Sequence, residues 1–501
     1  MSPHVDSTSQ YIIRDGPGWF PNGPKQGACS SSGVCRSTVI IQLTCLSVAL
    51  SLCLSVALSI TLLSLSSHSP FALLVLSSHS PLTLLSSQAP IKYTRSTSGK
   101  LLSEVPFHAA LINGKGRTNS TRSNNLTIFR IPQSASAAAA VAANTGGHCF
   151  RIVASQMGLP LQISVDGHVL TVFAADGHAV DPVVVDSVVI EAGETFDVSA
   201  TLLSPIHSGA EAAAAAAHGD GNSFWVRAKT LDVGFGDEHM GLAILQYDGA
   251  AVDGADPTSV PIPCTATRRC KVMNCPFPSL HPSMYSDCLG ADTLRGDTSS
   301  SDWVSVAPAT APTDETMFLN FVFEPAINNR RFIAPQAPPL TQPRDARLLA
   351  CDDAECAARG FPHEPCECTH NRAIPFNTTV TAVLTNLGIG AFGLHPVHLH
   401  GHSFHVLKVV YPPVYNDTKS VCKWPEGDPH PTCLSTDDIV CLEGSGFGAN
   451  CSFKPGREPV LNLDRPPLKD TVVVPAGGYT VIRFKADNPG ACEGMVYEWG
   501  A

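Results

Sequence analysis

From Leu126 onward the apolar residues arrive in short runs divided by Gly, Asp and Pro. The runs are Leu126-Thr-Ile-Phe-Arg-Ile131, Phe150-Arg-Ile-Val153, Leu161-Gln-Ile-Ser-Val165, Val169-Leu-Thr-Val-Phe173, Val183-Val-Val-Asp-Ser-Val-Val-Ile190 and Thr195-Phe-Asp-Val198. Phe224-Trp-Val-Arg-Ala228 and Leu242-Ala-Ile-Leu-Gln-Tyr247 complete the set. Rich in β-branched and aromatic residues, they read as strands, with Asp166-Gly167 and Asp176-Gly177 as hairpin or bulge signals between them. Many short strands at regular spacing predict an all-β sandwich. Forty Pro and 39 Gly suit such a turn-rich chain better than helical bundles. Two Ala-rich tracts, 135–143 and 210–217, read as surface insertions between strands.

A second β region begins near residue 302, with strands expected at 317–323, 380–385, 402–410, 470–474 and 479–484. At 501 residues the chain has length for two to four domains. The expected division is 1–103 as an unassigned N-terminal segment, 104–250 as one β domain, 251–300 as a Pro- and Cys-bearing linker, and 301–501 as another β domain. Residues 1–36 carry no legible pattern.

Charge is unevenly spread. The 32 Lys and Arg face 43 Asp and Glu, a net charge of −11 without basic runs, which argues against nucleic acid as a partner. Residues 37–91 hold no charge at all. Within them 39–65 is long enough to span a bilayer as a helix, and Lys25 and Arg36 precede it as in a signal anchor. The competing reading is low complexity, because Leu65-Ser-Ser-His-Ser-Pro70 recurs as Leu76-Ser-Ser-His-Ser-Pro81. Eighteen cysteines are many for a reducing cytosol. Four of them, Cys351, Cys356, Cys366 and Cys368, crowd one insertion, where disulfides are favoured over a zinc site that would want CxxC pairs. Asn119, Asn125, Asn377, Asn416 and Asn450 each open an Asn-x-Ser/Thr acceptor, which supports a secretory route.

One cluster carries chemistry: His395-Pro-Val-His398-Leu-His400-Gly-His402 places four histidines in eight residues. In an extended strand side chains alternate, so His398 and His400 share a face, about 6.5–7 Å apart. That spacing suits imidazoles serving neighbouring metal ions better than one tight chelate. Pro396 bends the entry and permits His395 to leave for another site, and Gly401 leaves room for a close approach. Neutral imidazole suits copper, zinc or iron, so spacing alone does not choose the metal.

This motif resembles the histidine motif in the last cupredoxin domain of the multicopper oxidases, the laccase and ascorbate oxidase family. Pro106-Phe-His-Ala-Ala-Leu-Ile-Asn-Gly-Lys-Gly-Arg117 resembles the opening of the family's second domain. Ser164-Val-Asp-Gly-His168, Val185-Asp-Ser187 and Ala192-Gly-Glu194 resemble its middle. Asn328-Asn-Arg-Arg-Phe332 and Asp470-Thr-Val-Val-Val-Pro-Ala-Gly-Gly478 through Asp487-Asn-Pro-Gly490 resemble the third domain. The resemblance implies two cupredoxin-like Greek-key β-sandwich domains after the low-complexity segment. It also implies copper as cofactor, with dioxygen and phenolic donors as partners. Position by position, His395 matches a ligand of the electron-accepting type 1 copper, His398 the type 2 ligand and His400 a type 3 ligand. His402 belongs to the motif but is not a ligand in the family.

The departures are as informative. The family draws further ligands from two His-x-His motifs in its first domain and from a His-Cys-His-x3-His stretch near the C-terminus. Here His-x-His occurs only at His398/His400 and His400/His402, and Cys492 runs directly into Glu493-Gly-Met495 where the His-Cys-His segment is expected. Met495 matches the weak axial position of type 1 copper. A blue copper site needs two imidazoles and a thiolate together, so the expectation is a copper oxidoreductase by kinship that is catalytically dead as written. One account of the missing groups is an incomplete or alternative product of a gene for a complete laccase-like oxidase. The alternatives are a non-catalytic secreted cupredoxin-like glycoprotein with a residual weak metal site, and a single-metal enzyme on His395, His398 and His400. The expected location is secreted, or anchored outside the cell through 39–65.

Overall fold

The computed structural model describes 8–15, 38–45, 110–117, 126–131, 148–155, 160–202, 222–231, 240–248, 255–275, 285–297, 312–322, much of 326–356, 366–369, 371–386, 395–411, 438–441, 451–475, 478–488 and 491–496; of these, 8–15, 38–45, 148, 322, 441 and 491–496 are described by backbone alone. The chain divides into two units, 1–44 with 109–501 and 45–108. All that follows concerns the first.

Alternation builds the N-proximal sandwich. Along Leu161–Val165 and His168–Ala175 every second residue is buried, so Leu161, Ile163 and Val165, then Leu170 and Val172, face inward. Asp176 and Gly177 join His168–Ala175 to His178–Val185, with φ of 47° and 81°. Positive φ at both central residues is the primed turn whose twist matches the strands it connects, and Asp-Gly is a favoured pair for it. A six-stranded sheet runs in the order Ala110–Ile112, Thr38–Cys45, His148–Ala154, Thr195–Leu202, His168–Ala175, His178–Val185. A seven-stranded sheet runs Ser286–Leu289, Cys270–Met273, Ser187–Ile190, Leu161–Val165, Ser223–Thr230, Met240–Tyr247, Thr127–Ile131. Phe150, Phe196 and Phe224 fill the interior, and Phe129 packs edge-on to Phe150 with ring centroids 5.9 Å apart. Part of 251–300 thus enters a sheet, tied by the disulfides Cys264–Cys270 and Cys275–Cys288.

The C-proximal sandwich pairs an eight-stranded sheet with a five-stranded one. In the larger sheet Thr379–Asn386 is buried at every position and pairs with Tyr479–Lys485, which in turn pairs with Phe404–Val410. The smaller sheet runs Asn371–Pro375, Thr8–Asp15, Ala491–Val496, His395–Leu399, Thr471–Val474. Phe321, Leu384, Val397, Phe404, Val472 and Phe484 meet between the sheets, each contributing about 1.5–3 kcal/mol by leaving water. The crowded cysteines form the disulfides Cys351–Cys368 and Cys356–Cys366, so they hold no zinc.

Two results depart from the sequence expectations. The patternless N-terminal segment supplies the Thr8–Asp15 strand. Residues 39–45, the start of the proposed 39–65 membrane helix, lie instead in Thr38–Cys45, paired in parallel with His148–Ala154. Thr38-Val-Ile-Ile fits a pleated strand better than a helix, because β-branched side chains lose rotamer freedom in helices. The remainder of 39–65 and the two Ala-rich tracts lie outside the described residues. Among the described residues no helix is long and apolar enough to cross a membrane.

Candidate metal centre

The histidine motif forms the strand His395–Leu399 and the turn after it. Val397 points into the apolar interior, and His395, two residues earlier, points the same way: it is 2% exposed, with the Phe321 ring centroid 5.8 Å away. Burial pushes its imidazole down to about 4, so the ring is neutral at physiological pH. His398 and His400 take the opposite parity. Their rings meet with centroids 5.1 Å apart at an interplanar angle of 62°. The expected separation of His395 from the His398/His400 pair is therefore present. Among the described residues no group of three or more His, Cys, Asp or Glu side chains is placed to hold one metal ion. A single-metal enzyme on all three imidazoles finds no support in that arrangement.

His402 supports the turn. Its ring lies 5.5 Å from that of Phe484, and its Nδ1 is 3.2 Å from the His400 carbonyl oxygen. Burial lowers its pKa, against the pull of that carbonyl. Gly401 has φ of 73°, and a Cβ there would come within 2.6 Å of Asn488 Nδ2. The positive φ therefore favours glycine between the last two histidines, while the crowding falls on the end of the exposed Asn488 side chain. His405 is buried farther along, with Nδ1 3.4 Å from the Pro466 carbonyl oxygen.

The pair faces the seam between the sandwiches. His398 Nδ1 is 3.0 Å from Thr471 Oγ1 and 3.5 Å from Asp470 Oδ1, and His178 Nε2 of the N-proximal sandwich lies 2.9 Å from Ser403 Oγ. Beneath this contact is a buried ionic cluster that the sequence reading missed. Lys469, wholly buried, puts Nζ 3.0 Å from Asp176 Oδ2, 3.3 Å from Glu194 Oε1 and 4.7 Å from the Phe196 ring centroid. Burial would lower the Lys469 pKa, but Asp176 and Glu194 outweigh it and hold the ammonium charged. Asn274 Nδ2 donates to Glu194 Oε2 at 2.6 Å. Farther out Arg465 pairs with Asp181 at 2.7 Å, and Tyr411 donates its hydroxyl to the Cys275 carbonyl at 2.7 Å. The one signal in the sequence was a lysine between Leu468 and the Val472-Val-Val474 run.

Glu191 is also fully buried there, and burial, reinforced by the Glu194 charge, raises its carboxyl well above the ordinary 4.5. The folded chain keeps a proton that the unfolded chain releases above 4.5, so stability falls as pH rises from that point through the raised folded value. Glu191→Gln should flatten that slope in denaturant titrations run across pH. It should gain stability at neutral pH, because an amide needs no proton taken up on folding. An unchanged slope would contradict the assignment.

Backbone register bears on the remaining expected ligands. Met495 stands opposite His398 in the ladder between His395–Leu399 and Ala491–Val496, three positions along from His395, or about 10 Å of strand. The two residues matched to type 1 copper are therefore not cross-strand neighbours.

Together these features define a pair of cupredoxin-like sandwiches whose junction is faced by histidines from a single strand. Residues 87–250 and 335–493 each match a family model described as multicopper oxidase. The chain is 27% identical to putative laccase-11 of Oryza sativa subsp. japonica over 68% of its own length and 58% of that protein's. It is likewise 27% identical to laccase-2 of Trametes villosa over 64% and 51%. The crystal structure of Fet3p, a multicopper oxidase that functions in iron import, superposes at TM-score 0.47 with 15% identity, covering 92% of this chain and 65% of that one. The chain belongs to the laccase-like multicopper oxidase family, a family of copper oxidoreductases. It spans about half the length of the relatives it matches.

The family's copper can be tested against these residues. His398 and His400 fit a two-imidazole hold on one ion, being adjacent and tied to the frame on one side. The full copper complement does not fit, since among the described residues no third ligand joins them and His395 is turned into apolar surroundings.

Proposed function

We propose that this chain carries the second and third sandwiches, 104–250 and 301–501, of a laccase-like oxidase of phenolic donors, and that as it stands it binds copper weakly and does not turn over. Bound copper would supply one-electron chemistry towards donor and dioxygen. The chain's own part is to present His398 and His400 at the seam and His395 on the opposite face of the same strand. That opposition is the observation supporting a metal assignment that sets His395 apart from the pair, while the 5.1 Å approach of the His398 and His400 rings lets those two share one ion in this chain. His395 corresponds to a type 1 ligand, His398 to the type 2 ligand and His400 to a type 3 ligand. An extracellular location is supported by the disulfides Cys264–Cys270, Cys275–Cys288, Cys351–Cys368 and Cys356–Cys366, and by Asn377, which is exposed at a turn with φ of 71° where a glycan would have room. The other four acceptors lie outside the described residues.

Metal analysis of the copper-titrated chain tests this reading. Binding should stop at roughly one ion per chain, with a micromolar-range or weaker Kd, since two imidazoles alone supply few ligand bonds. Nitrogen couplings in the Cu(II) resonance should come from two rings. His398→Ala should weaken binding at least tenfold, whereas His395→Ala should leave it near wild type. Tight uptake of a full copper complement would overturn the proposal.

A further inference from the structure

Asp176 belongs to a turn of the N-proximal sandwich, yet its carboxylate serves the other one. Its Oδ2 accepts from the backbone N–H groups of Asp470 and Thr471, each at 3.1 Å, and lies 3.0 Å from Lys469 Nζ. Its Oδ1 accepts from the Thr195 N–H at 2.8 Å, which locks the carboxylate to its own sheet. Three consecutive residues, 469–471, are thus held across the seam by one buried side chain. Thr471 stands directly opposite His398 in the antiparallel ladder. Moving it by one residue would carry its hydroxyl to the other face.

That hydroxyl decides the state of the imidazole. Thr471 Oγ1 lies 3.0 Å from Asp470 Oδ1 and 3.4 Å from the Gly193 carbonyl oxygen, and both oxygens only accept. With its single proton given to the Asp470 carboxylate, the charged and nearer of the two acceptors, the hydroxyl turns lone pairs toward His398 Nδ1 at 3.0 Å. That arrangement favours the ring hydrogen on Nδ1, and the Asp470 carboxylate 3.5 Å away favours the same choice. The lone pair is left on Nε2, the nitrogen a metal ion would take.

We infer that Asp176 is a positioning residue for His398: from across the seam it holds 469–471 in the register that fixes the His398 tautomer and offers Nε2 for metal. The inference rests on the copper reading above for its purpose, but its geometry can be read without metal. The ring nitrogens of the ¹⁵N-labelled, metal-free chain should show His398 as one tautomer, protonated at Nδ1. Asp176→Asn puts an amide N–H₂ among N–H donors and should mix the tautomers. It should also weaken copper binding about 10- to 100-fold, the range for lost outer-sphere support. In a His398→Ala background the same substitution should cost nothing further. Should Asp176→Asn fail to fold, Thr471→Val, which keeps shape and backbone, should still release the tautomer. A wild-type tautomer in either variant, or an equal copper loss without His398, would overturn the inference. A fixed tautomer that responds to Asp176→Asn in a chain binding no copper would uphold the positioning role and overturn the metal reading.

Discussion

Lys469→Met should cost about 3–5 kcal/mol of folding stability, the range for removing one partner of a buried charge cluster. Its ammonium sits between Asp176 and Glu194 with no exposed surface, so the substitution leaves two buried carboxylates without their cation. Methionine fills most of the space, hence the loss is electrostatic more than steric, and the contact with the Phe196 ring goes with it. Denaturant unfolding should show a lower midpoint with an unchanged slope, as expected when stability falls and the surface exposed on unfolding does not. Adding Glu194→Gln should restore part of the loss, because the two sites share one interaction. The penalty should also shrink as pH is lowered, since the orphaned carboxylates can then take up protons on folding. A single variant as stable as wild type would mean that the two sandwiches are not held by this cluster.

The β-sandwich class was legible because its signals are local. Period-two burial in Leu161–Val165 and the Asp176-Gly177 turn need no knowledge of the rest of the chain. The same holds for the histidine motif, where strand alternation alone separates His395 from His398 and His400. What escaped was long-range. Asp176 reads as a turn residue, and nothing near it in sequence announces that its carboxylate will bind residues almost three hundred positions away. Lys469 reads as a surface cation ahead of the expected 470–474 strand, because its partners come from the other sandwich. Thr38–Cys45 shows the limit of composition: it opens the uncharged 39–65 stretch that satisfies the length rule for a membrane helix, while its Val and Ile content suits an interior strand of a twisted sheet equally well.

The largest expected effect on activity is its absence. Dioxygen takes four electrons and four protons to become two waters, and delivering them needs several coppers joined to a donor site by a Cys-His link. His395 and the His398/His400 pair lie on opposite faces of one strand, and Cys492 has no histidine on either side of it in the sequence. A thiolate without neighbouring imidazoles makes no blue copper site. Electrons arriving at one face would find no Cys-His bridge to the other. The most direct measurement follows oxygen consumption by the purified, copper-saturated chain with a hydroquinone donor, while recording its visible spectrum. The expected result is a rate no higher than that of free copper and no blue band. A blue protein that consumes one dioxygen for every two hydroquinones would contradict the central claim.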